Sequence, residues 1–119
     1  MPIKVTYTTI KPEPNMMFFP EQFWGRPEIV SYIKTTYQDT GKLLATDHSL
    51  STDELTSIWI EYWDSQESCD QYLADEMFVA AINSRTEYRT LNNIQFSADT
   101  QEVDISQISV GSYYNYTSD

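Results

Sequence analysis

Residues 55–82 read LTSIWIEYWDSQESCDQYLADEMFVAAI, and this stretch decides the fold. Over residues 55–63, Ser57, Trp59, Glu61 and Trp63 fall on one face, and Thr56, Ile58, Ile60 and Tyr62 on the other. That is the period-two pattern of a strand. Large side chains occupy both faces, which predicts cover on both sides: helices on one, a second sheet on the other. Asp64, with Glu67 three residues on, predicts a helix start of the capping-box kind. Cys69, Tyr72 and Leu73 give that helix its apolar face. Asp75 and Glu76 break and restart it, and Phe78, Ala81 and Ile82 continue the stripe toward Asn92 and Asn93.

Working outward, Ile3, Val5 and Tyr7 alternate with Lys4, Thr6 and Thr8 as a half-buried strand. Pro12 and Pro14 end it. Residues 12–26 read PEPNMMFFPEQFWGR; the prolines oppose a helix, yet the stretch is strongly apolar. Phe18, Phe19, Phe23 and Trp24 are therefore candidates for a lid or an interface, and a plug over the domain's own core is the plainer reading. A helix opens at Pro27, carries Ile29, Val30, Ile33 and Tyr37 on one face, and ends at Gly41. Residues 42–48 pair with residues 55–63 as a hairpin, and Ile94, Phe96 and Ala98 mark a last core strand.

The order is strand, helix, strand, strand, helix, strand. This predicts an α+β domain of the ferredoxin-like βαββαβ type, a four-stranded antiparallel sheet with two helices on one face. The open face needs a cover, and a second copy supplies the simplest one: a homodimer pairing as a dimeric α/β barrel. Residues 1–119 read as one domain. Residues 99–119 form a polar C-terminal extension, expected as an extra strand or as an arm on the partner.

Charge removes several function classes. The net charge is −11, with only seven Lys and Arg. No Lys or Arg lies between Lys42 and Arg85. A nucleic-acid surface needs a basic face, and so does an anionic membrane, so neither partner is expected. No signal peptide or spanning segment is evident, and the expected location is cytoplasmic. Cys69 is the only cysteine, so no internal disulfide and no thiol metal site can form. His48 is the only histidine, a weak catalytic candidate as a proton carrier. No metal site and no cofactor site is legible. What remains is aromatic. Tyr7, Trp59, Tyr62, Trp63 and Tyr72 are the candidates to line a pocket for a small apolar or aromatic molecule. The same side chains also read as core and dimer contacts.

Trp63, Asp64-Ser65, Glu67, Leu73-Ala74-Asp75 and Phe78 resemble the hallmark stretch of antibiotic-biosynthesis-monooxygenase-like proteins of the dimeric α/β barrel superfamily. The order of elements extends the resemblance over residues 2–103. It implies a pocket in each subunit and a possible cofactor-independent oxygenation of a planar aromatic. Many relatives carry His where this chain has Tyr72, a second weak catalytic candidate, so the resemblance does not extend to an imidazole haem ligand. The alternative is a non-catalytic interaction module working through its surface, the 12–26 loop or the tyrosine-rich tail.

Overall fold

Alternation in the sequence becomes one sheet. The computed structural model describes residues 1–115. Four strands, β1 (Ile3–Ile10), β2 (Leu43–Leu50), β3 (Thr56–Trp63) and β4 (Gln95–Glu102), pair antiparallel in the order β2-β3-β1-β4. The β1–β3 register runs from Ile3 opposite Trp63 to Ile10 opposite Thr56. It places Ile3, Val5 and Tyr7 on the same face as Trp59, Glu61 and Trp63. Helices α1 (Pro27–Ile33), α2 (Gln66–Leu73) and α3 (Glu76–Leu91) cover that face. This is the ferredoxin-like βαββαβ arrangement, with the second helix broken in two.

The core is aromatic. Phe78 of α3 is fully buried and meets Phe23, Trp24, Tyr32, Tyr37 and Tyr72, with ring centroids 4.6–6.3 Å away. Truncating such a ring to alanine costs about 3–5 kcal/mol. Helix α1 runs on into a π turn, Lys34–Gln38, and Tyr37 lies in that widened turn with no exposed surface. Gly41 then takes the left-handed conformation, φ +77°, that ends the segment.

Asp75 joins α2 to α3. Its Oδ1 accepts the Met77 amide at 2.9 Å as the N-cap of α3. Its Oδ2 accepts the hydroxyls of Tyr32 at 2.8 Å and Tyr37 at 2.6 Å. Burial pushes the Asp75 carboxyl up, but the Tyr37, Met77 and Tyr32 donors outweigh burial and hold it below the usual value.

Two expectations are corrected. The α2 cap is Ser65, whose Oγ accepts the Ser68 amide, and not Asp64. Asp64 still donates its amide to the Lys42 carbonyl at 2.8 Å, so its backbone belongs to the strand pairing. Strand β4 is exposed at every residue and is no core strand. It forms an edge with one neighbour, and only Ile94, just before it, is buried. On the sheet's second face, Ile58 and Ile60 are half-buried beside Thr6 and Thr8.

The 12–26 loop folds around its own lysine. Lys11 is buried; its Nζ donates to the carbonyls of Pro14 and Met16 and lies 4.3 Å from the centre of the Phe18 ring. Tyr88 of α3 holds the Met17 carbonyl at 2.8 Å. The tail from Val103 onward crosses to β2. Val103 and Ile108 pack on Leu44, Ala45 and Tyr62. The Thr46 amide then donates to the Ser112 carbonyl at 3.0 Å, and the Gly111 amide to the Leu44 carbonyl at 2.8 Å. Residues 116–119, with Tyr116, lie outside the described residues. Among the described residues, no helix is long and apolar enough to cross a membrane.

Candidate functional site

Strand β3 builds the site. Its inward residues Trp59, Glu61 and Trp63 alternate aromatic, acid, aromatic on the helix-covered face. The indole Nε1 of Trp59 donates to Glu61 Oε2 at 2.9 Å, and that of Trp63 to Oε1 at 3.1 Å. The Tyr7 hydroxyl, from β1, is a third donor. Glu61 is only 6% exposed. Burial pushes its carboxyl up, and the donors Trp59, Trp63 and Tyr7 draw it only part of the way back. A carboxyl displaced this way can exchange a proton closer to neutral pH than an ordinary one.

Beside this carboxyl lies a pocket of about 220 Å³. Trp59 and Glu61 of β3 form one wall. Val30 and Ile33 of α1 and Gln38 form another, and Tyr72 of α2 and Trp24 close the inner end. Leu43 and Thr46 of β2 line the edge, where Tyr113, Tyr114 and Asn115 complete the wall. The tail is tied there: the Tyr113 hydroxyl donates to the Leu43 carbonyl at 2.7 Å, and the Tyr114 amide to Thr46 Oγ1 at 2.8 Å. An apolar cavity of about 150 Å³ holds benzene, so this volume suits one or two fused rings. It is smaller than the roughly 300–1,000 Å³ of pockets that take larger ligands.

Trp59 and Tyr72 line the pocket. Trp24 Nε1 donates to the Tyr72 hydroxyl oxygen at 2.6 Å, which fixes both rings. Tyr7 and Trp63 stand behind the wall as donors to Glu61. Tyr62 does not join them; the strand's alternation turns it to the opposite face, against Leu44, Ala45 and Ile108. His48 lies outside the wall, its Nε2 2.9 Å from Ser57 Oγ and its ring against Tyr114 at 5.0 Å. Of the four loop aromatics, Trp24 alone reaches the pocket. Phe23 packs edge-on against Trp24, Phe19 lies under the Arg85 guanidinium at 4.2 Å, and Phe18 sits by Lys11. Cys69 is buried, and burial, with Glu61 and Asp70 nearby, pushes its thiol up to about 12, which suits packing and not nucleophilic attack.

The residues that sequence reasoning passed over are Glu61 and the tail. A glutamate on the inward side of a Trp-x-Glu-x-Trp strand was the available signal for the first. The polar tail has no periodicity to read.

No protein-family model matches the sequence, and neither does any curated protein. Solved structures do match in shape. A candidate antibiotic biosynthesis monooxygenase from Caulobacter crescentus superimposes with a TM-score of 0.58 at 14% identity, over 86% of this chain and 90% of that one. A dimeric ferredoxin-like protein from an uncultured marine organism gives 0.53 at 8% identity, over 87% and 96%. A cofactor-independent oxygenase from Streptomyces nogalater gives 0.50 at 12% identity, over 87% and 96%. At such identities the likeness carries the backbone plan and not the chemistry. The chain has the ferredoxin-like βαββαβ fold that these antibiotic-biosynthesis-monooxygenase-like structures share.

Proposed function

We propose that this protein is a homodimer that binds one small aromatic molecule in each subunit. The observation that carries the reading is the 220 Å³ pocket, walled by Trp59 and Tyr72 and backed by the buried Glu61 carboxyl. Apolar walls with one placed polar group are the ordinary make-up of a small-ligand site. The carboxyl is positioned to accept a hydrogen bond from the ligand, and its raised proton affinity lets it take the ligand's proton. Removing a phenolic proton makes a ring electron-rich, the step with which cofactor-independent oxygenation would begin. The Streptomyces nogalater neighbour makes that chemistry worth measuring.

The first test is a titration of the protein with 1-naphthol, read by tryptophan fluorescence and calorimetry, with an oxygen electrode alongside. Saturable binding that weakens about tenfold or more in Trp59→Ala is expected, since a buried aromatic contact contributes on the order of 1–3 kcal/mol. Absence of binding by 1-naphthol and by other one- and two-ring aromatics would remove the reading. Oxygen uptake would make the protein an enzyme; binding without uptake would make it a carrier or sensor.

The dimer reading rests on the sheet's second face. Ile58 and Ile60 lie half-buried at its middle, and the structural neighbour from the marine organism is a dimer. Sedimentation should give twice the chain mass, and Ile60→Lys should shift it toward the monomer. A wild-type monomer at micromolar concentration would overturn this part.

A further inference from the structure

We infer that the pocket selects aromatic ligands that carry a positively charged nitrogen, held between the Glu61 carboxylate and the rings of Trp59, Tyr72 and Tyr114. This deepens the proposed function and rests on its pocket.

The argument begins with what surrounds Glu61. Its donors are two indoles and a phenol, all neutral. The ion pairs among the described residues, Lys34–Asp39 and Arg85–Glu21, lie elsewhere. Among the described residues, no Lys, Arg or His lines the pocket, and Glu61 is the one carboxyl that does. A buried carboxylate is costly unless a cation accompanies it. The protein supplies hydrogen bonds and leaves the counter-charge to a ligand. A ligand amine would satisfy both requirements, its N–H groups reaching an acceptor and its charge neutralising the site.

The walls favour the same class. Trp59, Tyr72, Tyr113 and Tyr114 bring aromatic rings to the space beside the carboxyl. Indole and phenol faces attract ammonium groups through their quadrupoles, most strongly where water is excluded. Trp24 contributes its edge and not its face, because its ring is stacked on Phe78 and capped by Arg85 at 4.0 Å. The field of the chain points the same way. With a net charge of −11 and no Lys or Arg between Lys42 and Arg85, the protein draws cations and repels carboxylates and phosphates.

Glu61 is also the group whose titration sets this preference. Among the described residues, the titratable groups packed around it are Tyr7 of β1, Cys69 and Tyr72 of α2, and Tyr113 and Tyr114 of the tail, which are phenols and a thiol. Beside it β2 presents Thr46, and α1 presents the uncharged Val30 and Ile33. His48 packs on the Trp59 ring outside the wall.

The test compares 1-naphthylmethylamine, protonated at pH 7, with its neutral isostere 1-naphthalenemethanol by calorimetry on the full chain. The expected result is binding of the amine at least about tenfold tighter than the alcohol, a preference lost in Glu61→Gln. Circular dichroism checks that the variant is folded. If it is not, the wild-type protein carries the test through pH. Amine affinity should fall as acid protonates Glu61, and alcohol affinity should stay level. Equal affinities, or a tighter alcohol, overturn the cation inference and leave the pocket standing. A preference that persists in folded Glu61→Gln assigns it to the general surface charge and also overturns the inference. Binding of neither probe, nor of 1-naphthol, overturns the pocket itself.

Discussion

Asp75 and Glu61 are both carboxylates with a donor on each of their oxygens, yet their proton affinities are displaced in opposite directions. Asp75 stands at a helix N-terminus, where two tyrosine hydroxyls and the Met77 amide converge on it. Glu61 stands on an interior strand of the sheet, and its donors are indoles and a phenol. The first is held ionised, below the usual value, although burial opposes this. The second is pushed up, because burial outweighs its donors. Donor number alone does not decide the outcome. What decides it is how deeply the group is buried and whether a helix dipole helps the charge. Asp75 joins elements of the fold, whereas Glu61 borders a cavity. The difference separates a carboxylate that holds architecture from one that is available to a ligand.

The strongest way to break this contrast is to remove the architectural member. Asp75→Ala takes away the α3 cap, worth about 1 kcal/mol. It also strips the acceptor from the buried Tyr37 hydroxyl, which adds on the order of 1–3 kcal/mol. A loss of roughly 2–4 kcal/mol in urea denaturation is therefore expected. Asp75→Asn, which keeps a cap and one acceptor oxygen, should recover part of it. If Asp75→Ala loses less than the cap alone is worth, the tyrosine bonds contribute nothing net and Asp75 is an ordinary N-cap.

Much of this contrast was legible in residues 55–82, though not the contrast itself. The break at Asp75 showed because an acidic residue followed by a new apolar stripe is a local signal, and local signals survive folding. The inward set Trp59, Glu61 and Trp63 showed because a strand's side chains alternate without exception over so short a run. That the indole N–H groups of Trp59 and Trp63, two residues to either side, converge on one carboxyl did not show. It depends on how Trp63 is held, with Tyr37 of the preceding helical segment edge-on and Tyr72 of the next helix tilted against it. The cap moved from Asp64 to Ser65 because strand pairing held one more residue than the pattern indicated. Tyr62 left the pocket set because aromatic character says nothing about which side of a sheet is covered. The tail's place on β2 was out of reach, since much of it is held by backbone bonds to Leu44 and Thr46, which no side-chain pattern announces.

The subtler way to sharpen the contrast is through pH, where the two carboxyls should pull in opposite directions. Asp75 binds its proton less readily folded than unfolded, so its contribution to stability is complete above the unfolded value of about 3.9 and is lost as pH falls through the folded one. Glu61 binds its proton more readily folded than unfolded. Its contribution is complete below the unfolded value of about 4.3 and declines as pH rises through the raised folded one. Urea midpoints of the wild type, Asp75→Asn and Glu61→Gln, taken from pH 3 to pH 8, should separate these limbs. The deficit of Asp75→Asn should shrink toward acid. The deficit of Glu61→Gln should shrink toward neutral pH, because the variant has no buried charge to create. A saturating aromatic amine should then flatten the Glu61 limb in the wild type alone, since its charge neutralises the carboxylate that burial penalises. Parallel pH profiles for the two variants would mean that the carboxyls share one environment, and the division between architecture and site would have to be redrawn.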